Sequence, residues 1–246
     1  MKTILITNDD GIYGPGLQPL IDEMKKIGRV IVVVPDQERS GTSHSITLHK
    51  PLRIQKLAAN TYIVNGTPAD CVRFSVLSLV KHKIDLVVSG VNAGPNLGQD
   101  VIYSGTVAGA REGALMRIPS FAVSVAKWGK NNFPLAAKIS RLIAQKLLKY
   151  GTPDNVYLNV NVPHIVKGTN ITSLGVRVYD DVIECRTDPR GLKYYWLGGK
   201  SLSENPRPGT DIAAVNALRV SITPLQLNPT AEHLLTAFEP WTQDIR

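Results

Sequence analysis

The sequence has few of the features that mark secreted, membrane or fibrous proteins. It contains only two cysteines in 246 residues. With so few cysteines, we expect Cys71 and Cys185 to be two buried free thiols and not part of a disulfide framework. The longest aliphatic run, Val30–Val34, is far shorter than the roughly 18 residues of a transmembrane helix. The N-terminus turns acidic at Asp9 and lacks the apolar core of a signal peptide, so we expect a cytoplasmic protein.

Positive charge is in excess but is not concentrated. The 28 lysines and arginines oppose 20 aspartates and glutamates, which gives a net charge of +8. There is no basic tail and no interleaving of basic and aromatic residues, so we expect neither nucleic acid nor a membrane as a partner. Small phosphate esters remain suitable ligands for such a surface. Pairs of lysines fall near predicted helix ends, where cations offset the helix dipole: Lys25 and Lys26, Lys81 and Lys83, and Lys146 and Lys149.

The first 150 residues alternate between buried-strand and helix patterns. Strands that are apolar on both faces and separated by helices indicate a parallel sheet covered on both sides, so residues 1–150 are predicted to form a doubly wound α/β core. The predicted strands are Lys2–Thr7, Arg29–Val34, Ile46–Ile54, Tyr62–Val64, Ile84–Ser89 and Pro119–Ala126. The predicted helices are Leu17–Ile27, Pro68–Val80, Thr106–Met116 and a last one that starts at Pro134, has its apolar stripe over Leu135–Leu147 and ends before Gly151.

Residues 151–246 have a different pattern, dominated by short strand candidates. We expect them to complete the sheet and to add a hairpin arm and a C-terminal oligomerisation tail, within one domain that spans residues 1–246. The candidates are Val156–Val160, Ile171–Tyr179, Leu192–Leu197 and Ala217–Thr223.

The arm carries three consecutive aromatic residues. In a strand, Tyr194 and Trp196 would share one face and Tyr195 would lie on the other. Because one domain core cannot easily bury both faces, we predict at least a dimer in which the arm or the tail contacts a neighbouring subunit. The alternative is that the hairpin folds flat onto its own sheet.

Three polar loops follow predicted strands and should meet at one edge of the sheet. They are Asn8–Gly11, Arg39–Ser43 and Gly90–Asn96, and ligands of open parallel sheets bind beyond the carboxyl ends of the strands. The adjacent carboxylates of Asp9 and Asp10 repel each other unless a cation lies near them. A hard divalent cation, Mg²⁺ or Mn²⁺, would neutralise the pair and accept further oxygens from Ser40 and Asn92.

Simpler explanations exist for these residues. Asp10 could be a turn former or a helix cap. The only histidine or cysteine in or directly beside the loops is His44, which follows Ser43. Its isolation disfavours zinc, and we expect it at the surface or behind the ligands. The glycines of Gly11–Gly16 come close to a dinucleotide fingerprint, but their order is wrong and two carboxylates precede them. A dinucleotide-dependent oxidoreductase is therefore the weaker hypothesis.

A possible phosphate cradle lies further along the chain. Small hydroxyl residues and glycine begin the predicted helix in Tyr103–Gly109, and backbone N–H groups at a helix N-terminus bind anions. Simple N-capping by Ser104 or Thr106 would explain the segment taken alone. Beside a candidate metal loop, phosphate binding is the better interpretation.

At these loops the sequence closely resembles the SurE family of survival proteins. The matching stretches are Ile4–Gly11, Pro35–Gly41, Asn65–Val72, Ser89–Gly98, Tyr103–Gly113, Thr210–Asp211 and Val220–Leu225. The resemblance implies a three-layer, Rossmann-like, mostly parallel α/β fold and a homodimer or homotetramer that exchanges C-terminal elements or a hairpin arm. It also implies a divalent metal bound by Asp9, Asp10, Ser40 and Asn92, and a phosphate site lined by Asn96, Ser104, Gly105 and Thr106.

The activity implied by this resemblance is metal-dependent hydrolysis of nucleoside 5′-monophosphates to nucleoside and phosphate, with Asp9 and Asn96 as catalytic residues. Other phosphomonoesters and short polyphosphate are left open as substrates. So is the role of Asp9 as base or nucleophile, although the missing Asp-x-Asp pattern argues against an aspartyl-phosphate. No loop offers an evident base-reading pocket, so we expect modest discrimination among bases. The alternative function is a non-catalytic, metal-dependent nucleotide-binding or sensing module.

Overall fold

A mostly parallel sheet forms the centre of the molecule. The computed structural model describes residues 1–127, 132–180, 182–199 and 201–243. Within them the main sheet has the strand order β3-β4-β2-β1-β5-β6-β7-β13-β8, and only the β3–β4 and β7–β13 pairs are antiparallel. Its strands are β1 (Thr3–Thr7), β2 (Arg29–Pro35), β3 (Ile54–Ala58), β4 (Thr61–Val64), β5 (Leu86–Asn92), β6 (Ser120–Val125), β7 (Val156–Val162), β8 (Gly168–Ile171) and β13 (Arg219–Gln226).

Helices cover both faces of this sheet, because alternate residues of each buried strand point to opposite sides. Ile4 and Ile6 of β1 pack with α1 (Leu17–Lys25) and α4 (Phe133–Tyr150), whereas Leu5 packs with α2 (Pro68–Phe74) on the other side. The helix α3 (Gly105–Leu115) packs beside α2. The remaining helices are α5 (Asp211–Asn216) and α6 (Leu235–Phe238). The predicted three-layer α/β fold is confirmed.

Local sequence signals explain the start of α2 but not its end. Thr67 accepts a hydrogen bond from the backbone of Asp70, whose carboxylate accepts one from the backbone of Thr67, which is a capping box. The α-helix then stops at Phe74 and continues as a π-helix over Ser75–Leu79, close to the predicted end at Val80. A 3₁₀ turn over Gly98–Ile102 interrupts the long loop predicted before α3.

The predicted strand Ile46–Ile54 is wrong for all but its last residue. In the structure β3 begins at Ile54, and the start of the preceding segment bonds to a side chain rather than to a neighbouring strand. The backbone N–H and the hydroxyl of Thr47 both donate to the Asp70 carboxylate, at 3.0 and 2.6 Å. The backbone carbonyl of Ser45 accepts from Thr67. An alternation of apolar and polar residues cannot reveal such a competing set of hydrogen bonds.

The hairpin arm forms a ribbon separate from the main sheet. Its strands are β9 (Val176–Tyr179), β10 (Val182–Thr187), β11 (Lys193–Gly198) and β12 (Ser201–Asn205), with β10 paired to β11 and β9 to β12. Every residue of β10 and β11 is exposed, so the alternative in which the hairpin lies flat on its own sheet is wrong.

Two further expectations need correction in this region. Cys185 lies on β10 and is exposed, whereas Cys71 is buried as predicted. The residues beside Cys185 are the charged Glu184 and Arg186, and a two-stranded ribbon has no core in which to bury a thiol. The predicted strand Ile171–Tyr179 is broken between β8 and β9, because buried Asp211 accepts the backbone N–H of Gly175 there at 2.7 Å.

The C-terminal tail is also rich in exposed apolar side chains. Leu234, Leu235, Phe238 and Trp241 are each exposed, and the last two make an edge-to-face ring contact. Residues 244–246 of the predicted tail lie outside the described residues. In the described part of the chain, no helix has the length and apolar character needed to span a bilayer.

Candidate active site

The turn after β1 is built to present two carboxylates. Asn8 is buried and bonds the turn in both directions, because its amide nitrogen donates to the Gly11 carbonyl at 2.9 Å and its oxygen accepts the Gly11 N–H at 3.0 Å. Gly11 has φ of +77°, which a side chain would disfavour. Asp9 and Asp10 lie inside this turn and therefore emerge together at the carboxyl end of β1.

The remaining glycines of this loop have a packing explanation. A Cβ atom on Gly14 would lie 2.6 Å from the Cβ of Asp10, and one on Gly16 would lie 2.1 Å from the carbonyl oxygen of Val91. Both glycines are needed for close approach of the loop to the carboxylates and to β5. Dinucleotide binding is not required to account for them.

A cavity of about 520 Å³ lies at this edge of the sheet. Six of the eight predicted site residues line it together: Asp9, Asp10, Ser40, Asn92, Asn96 and Ser104. The other two, Gly105 and Thr106, are buried at the start of α3. The convergence predicted from the three strand-end loops is therefore present in the structure.

Asp9 is buried and held by the first turn of α3. The hydroxyl of Thr106 donates a hydrogen bond to Asp9 Oδ1, and the Thr106 backbone also bonds to this carboxylate. Burial nevertheless raises the pKa of Asp9 above its ordinary value, and these hydrogen bonds offset only part of that effect. A Cβ on Gly105 would lie 2.9 Å from the Asp9 Cβ, so only glycine allows the helix to come this close.

Asp10 is the least satisfied group in the site. Its Oδ2 is buried and has no hydrogen-bond partner among the described residues. Burial raises the pKa of Asp10 to about 7, with smaller contributions from the negative charges of Asp9 and Glu38. A buried carboxylate with an unpartnered oxygen beside a second carboxylate is a place where a cation would be strongly favoured.

Ser40 and Asn92 flank the two carboxylates. The Ser40 hydroxyl is exposed and donates to Glu38 Oε1 at 2.8 Å. The amide nitrogen of Asn92 donates to the Gly94 carbonyl at 2.9 Å, which leaves its Oδ1 as the atom able to bind a cation. Sequence reasoning missed Glu38, which lines the cavity; its position just ahead of Ser40 was the only available signal.

These donors fit a hard divalent cation. They are carboxylate, hydroxyl and amide oxygens, the ligand types that Mg²⁺ and Mn²⁺ prefer. No cluster of three or more histidine, cysteine, aspartate or glutamate side chains occurs within the described ranges. A metal at this edge would therefore combine two carboxylates with neutral oxygens, and the unpartnered Asp10 Oδ2 is the observation that fits such an ion best.

Asn96 is fixed at both its backbone and its side chain. Its N–H donates to Asn161 Oδ1 at 2.9 Å, and its carbonyl accepts from Asn159 and Asn161 at 2.8 and 2.9 Å. Its side-chain amide bonds to the Ser124 hydroxyl at 2.7 Å. Because a hydroxyl can donate as well as accept, Ser124 can hold either orientation of this amide.

Sequence reasoning missed the residues that hold Asn96. Asn159 and Asn161 are fully buried in β7, on the same face of an otherwise apolar strand. Two polar residues two positions apart in a buried strand were a detectable signal, because buried amides require partners.

The N-terminus of α3 makes more internal contacts than predicted. Ser104 is its N-cap and accepts a hydrogen bond from the Val107 N–H at 3.1 Å, so the capping interpretation holds for Ser104. The Thr106 hydroxyl is directed at Asp9. Of this segment, Tyr103 and Ser104 line the cavity, whereas Gly105 and Thr106 lie behind it.

His44 lies behind the cavity, on an internal carboxylate. Its Nε2 lies 2.9 Å from Glu112 Oε2, and Arg73 contacts the other oxygen of that carboxylate at 2.9 Å. Glu112 belongs to α3 and its side chain is 0% exposed. The His44–Glu112 contact therefore ties the loop that follows Ser40 to the helix whose first turn holds Asp9.

A comparison with family models gives a match to "Survival protein SurE" over residues 4–181, which is most of the chain. The chain belongs to the SurE family. The resemblance stated from the sequence motifs is therefore confirmed. Curated relatives agree with this assignment over nearly the full length. A protein named 5′-nucleotidase SurE from Heliobacterium modesticaldum is 43% identical over 97% of this chain and 91% of its own length.

Other members of the family give the same result. A 5′-nucleotidase SurE from Vibrio parahaemolyticus is 45% identical, covering 98% of this chain and 95% of that protein. The crystal structure of the SurE protein from Aquifex aeolicus superimposes with a TM-score of 0.87 at 40% identity, over 98% of this chain and 99% of that one. The fold of this SurE-family chain is thus shared with a solved relative along its length.

Proposed function

We propose that this SurE-family protein is a 5′-nucleotidase that hydrolyses nucleoside 5′-monophosphates with the help of Mg²⁺ or Mn²⁺. The observation that carries the proposal is the pair Asp9 and Asp10, with a buried, unpartnered oxygen on Asp10, at the wall of a 520 Å³ cavity. The names of the relatives support the substrate class. Other phosphomonoesters and short polyphosphate are candidate further substrates.

In this proposal Asp9 and Asp10, with Ser40 and Asn92, hold the cation. When bound, the cation supplies Lewis-acid stabilisation of charge that develops on the phosphoryl group. Asp9 Oδ1 accepts the Thr106 hydroxyl, so Asp9 Oδ2 would be the oxygen left to hold the cation.

Asn96 and the first turn of α3 bind the substrate phosphate. The side-chain nitrogen of Asn96 donates one hydrogen to the Ser124 hydroxyl at 2.7 Å and has a second hydrogen for the phosphate. Ser104 lines the cavity directly. Gly105 and Thr106 contribute through the positive end of the helix dipole and by holding Asp9 in place. Asp9 and Asn96 are thus the proposed catalytic residues.

The test is release of inorganic phosphate from AMP by pure protein with Mg²⁺, with Mn²⁺ or with EDTA. We expect activity only with a cation, and near loss of turnover in Asp9→Asn and Asp10→Asn. Asp22→Asn is the matched control because Asp22 is an exposed aspartate on α1. Metal-dependent AMP binding without phosphate release would instead support the sensing module. Near-normal turnover in both site variants would show that the metal site is wrong.

We also propose that the protein is a homodimer or homotetramer, held together through the arm or the tail. Trp196 is 59% exposed on β11, and Phe238 and Trp241 are exposed in the tail, whereas aromatic residues are enriched in subunit interfaces. Sedimentation at low micromolar concentration should show species larger than the 26.8 kDa chain. Trp196→Ala should shift the equilibrium toward smaller species, and Tyr150→Ala, which removes an exposed aromatic side chain of α4, should not.

A further inference from the structure

Two exposed tyrosines stand on the wall of the candidate active-site cavity. Tyr13 is 94% exposed and Tyr103 is 65% exposed, and both line the cavity that contains Asp9 and Asp10. Neither phenol hydroxyl has a hydrogen-bond partner in the part of the chain that the structure describes. Two solvent-exposed aromatic rings beside the cavity are suited to bind a ligand through their flat faces.

Both rings come from segments that also position the catalytic groups. Tyr13 precedes Gly14, where a Cβ would lie only 2.6 Å from the Cβ of Asp10. The backbone carbonyl of Tyr103 accepts the N–H of Ser43 at 2.9 Å, and its own N–H donates to the carbonyl of Asp100 at 3.1 Å. The rings are therefore carried on backbone that is held close to the carboxylates and to α3.

The other residues that line the cavity fall into two chemical groups, named here the polar zone and the second zone. The polar zone contains Glu38 and the proposed metal and phosphate residues. The second zone offers few hydrogen-bonding side chains, because its other members are glycine, proline and alanine: Gly14, Pro15, Gly41, Ala93 and Pro95. Asp100 also lines the cavity, but its carboxylate is already bonded to Arg177 and Tyr179.

We propose that Tyr13 and Tyr103 bind the nucleobase of the substrate by stacking, an inference that rests on the proposed nucleotidase activity. A nucleotide whose phosphate lies at the polar zone must extend its base along the remaining wall, and the volume of about 520 Å³ is within the range of small-molecule sites. Stacking uses the π-face that every base has and reads no hydrogen-bonding edge. The site therefore accepts all the common bases and favours nucleotides over phosphate esters that have no base.

The experiment compares AMP with ribose 5-phosphate, which has the same phosphoester but no base. In Tyr13→Ala and in Tyr103→Ala, the ratio of kcat/KM for AMP to that for ribose 5-phosphate should fall by about tenfold, the size expected for one lost stacking contact. The change should lie mainly in the KM for AMP, because stacking stabilises ground state and transition state alike. Tyr13→Phe and Tyr103→Phe keep the ring and should keep the wild-type ratio. Tyr150→Ala, outside the cavity, is the control for loss of an exposed tyrosine.

Several results would overturn the stacking site. One is an unchanged ratio in both alanine variants, and another is an equal loss for the two substrates. A loss confined to one variant would contradict a site made of two rings. A change in sedimentation without a change in the ratio would assign the rings to a subunit interface.

Failure of the proposed function has a separate signature, which is absence of metal-dependent phosphate release from AMP by the wild-type protein. If the wild-type protein releases no phosphate, calorimetric measurement of adenosine binding still tests the two tyrosine rings. We expect weaker binding in both alanine variants and wild-type binding in both phenylalanine variants. Adenosine binding that is equal in wild-type and alanine variants would overturn the proposal on its own.

Discussion

Replacement of Asp10 by asparagine should stabilise the metal-free protein, although it removes a proposed ligand. The pKa of Asp10 is raised from 3.8 to about 7 in the folded state, chiefly by burial. A raised carboxyl pKa means that the folded protein binds this proton more tightly than the unfolded chain. The stabilising contribution is therefore complete below the unfolded pKa of 3.8, and it is lost as the pH rises toward about 7. Asparagine is neutral at every pH and avoids that loss.

The size of the effect follows from the same shift. A change from 3.8 to about 7 corresponds to roughly 4 kcal/mol at 1.36 kcal/mol per pH unit. Because the carboxylate is partly solvated, we take about half of this, or about 2 kcal/mol, at pH ~8. At pH ~5 the unfolded chain has lost this proton but the pH is still below the folded pKa, so only part of the destabilisation has developed. Asp10→Asn should then stabilise the metal-free protein by under about 1 kcal/mol. For a chain of this length, 2 kcal/mol corresponds to roughly 4–8 °C in Tm.

The assay is thermal unfolding of EDTA-treated wild-type protein and Asp10→Asn at the two pH values. Without metal the variant should melt higher at pH ~8 and only slightly higher at pH ~5. With Mg²⁺ or Mn²⁺ the wild type should gain stability by mass action and the variant much less. Asp22→Asn should melt like the wild type throughout. The reasoning fails if Asp10→Asn lowers the Tm at pH ~8 in EDTA, or if the cation raises both melting temperatures equally.

Three further substitutions test the supports of the site. Thr106→Val removes the hydroxyl that bonds to Asp9; the pKa of Asp9 should rise further, and the acid limb of the pH–rate profile should move to higher pH. Asn161→Ala removes two hydrogen bonds to the backbone of Asn96; denaturant unfolding should show a loss of about 2 kcal/mol, with a lower kcat. Glu112→Gln removes a buried carboxylate from Arg73 and His44; it should cost about 1–3 kcal/mol and speed proteolysis in the loop after Ser40, and an unchanged cleavage rate would contradict this anchoring.

The fold was predictable because its strong signals are local. The aliphatic run at Val30–Val34 and the capping box at Thr67 each specify an element without reference to distant residues. The meeting of Asp9, Asn92 and Asn96 was also predictable, since carboxyl ends of parallel strands share one edge.

Contacts between distant residues were not predictable in this way. The segment before Ile54 is shaped by the Asp70 carboxylate, more than twenty positions from Thr47. Burial of Asn161 in β7 and exposure of Cys185 on the arm depend on which surfaces meet in three dimensions. A single sequence contains the residues for such contacts but does not say which of the many possible pairs form.

Asp100 connects the arm to the wall of the cavity through hydrogen bonds. Its carboxylate accepts hydrogen bonds from Arg177 and Tyr179 at the base of the arm, each at 2.6 Å, while the same residue lines the cavity. In the proposed dimer, a subunit contact on the arm would therefore be linked through Asp100 to the wall of the cavity. Linkage of this kind is reciprocal, so a substrate that bound more tightly when the subunit contact formed would stabilise that contact by the same free energy. Dilution of the protein would then weaken substrate affinity.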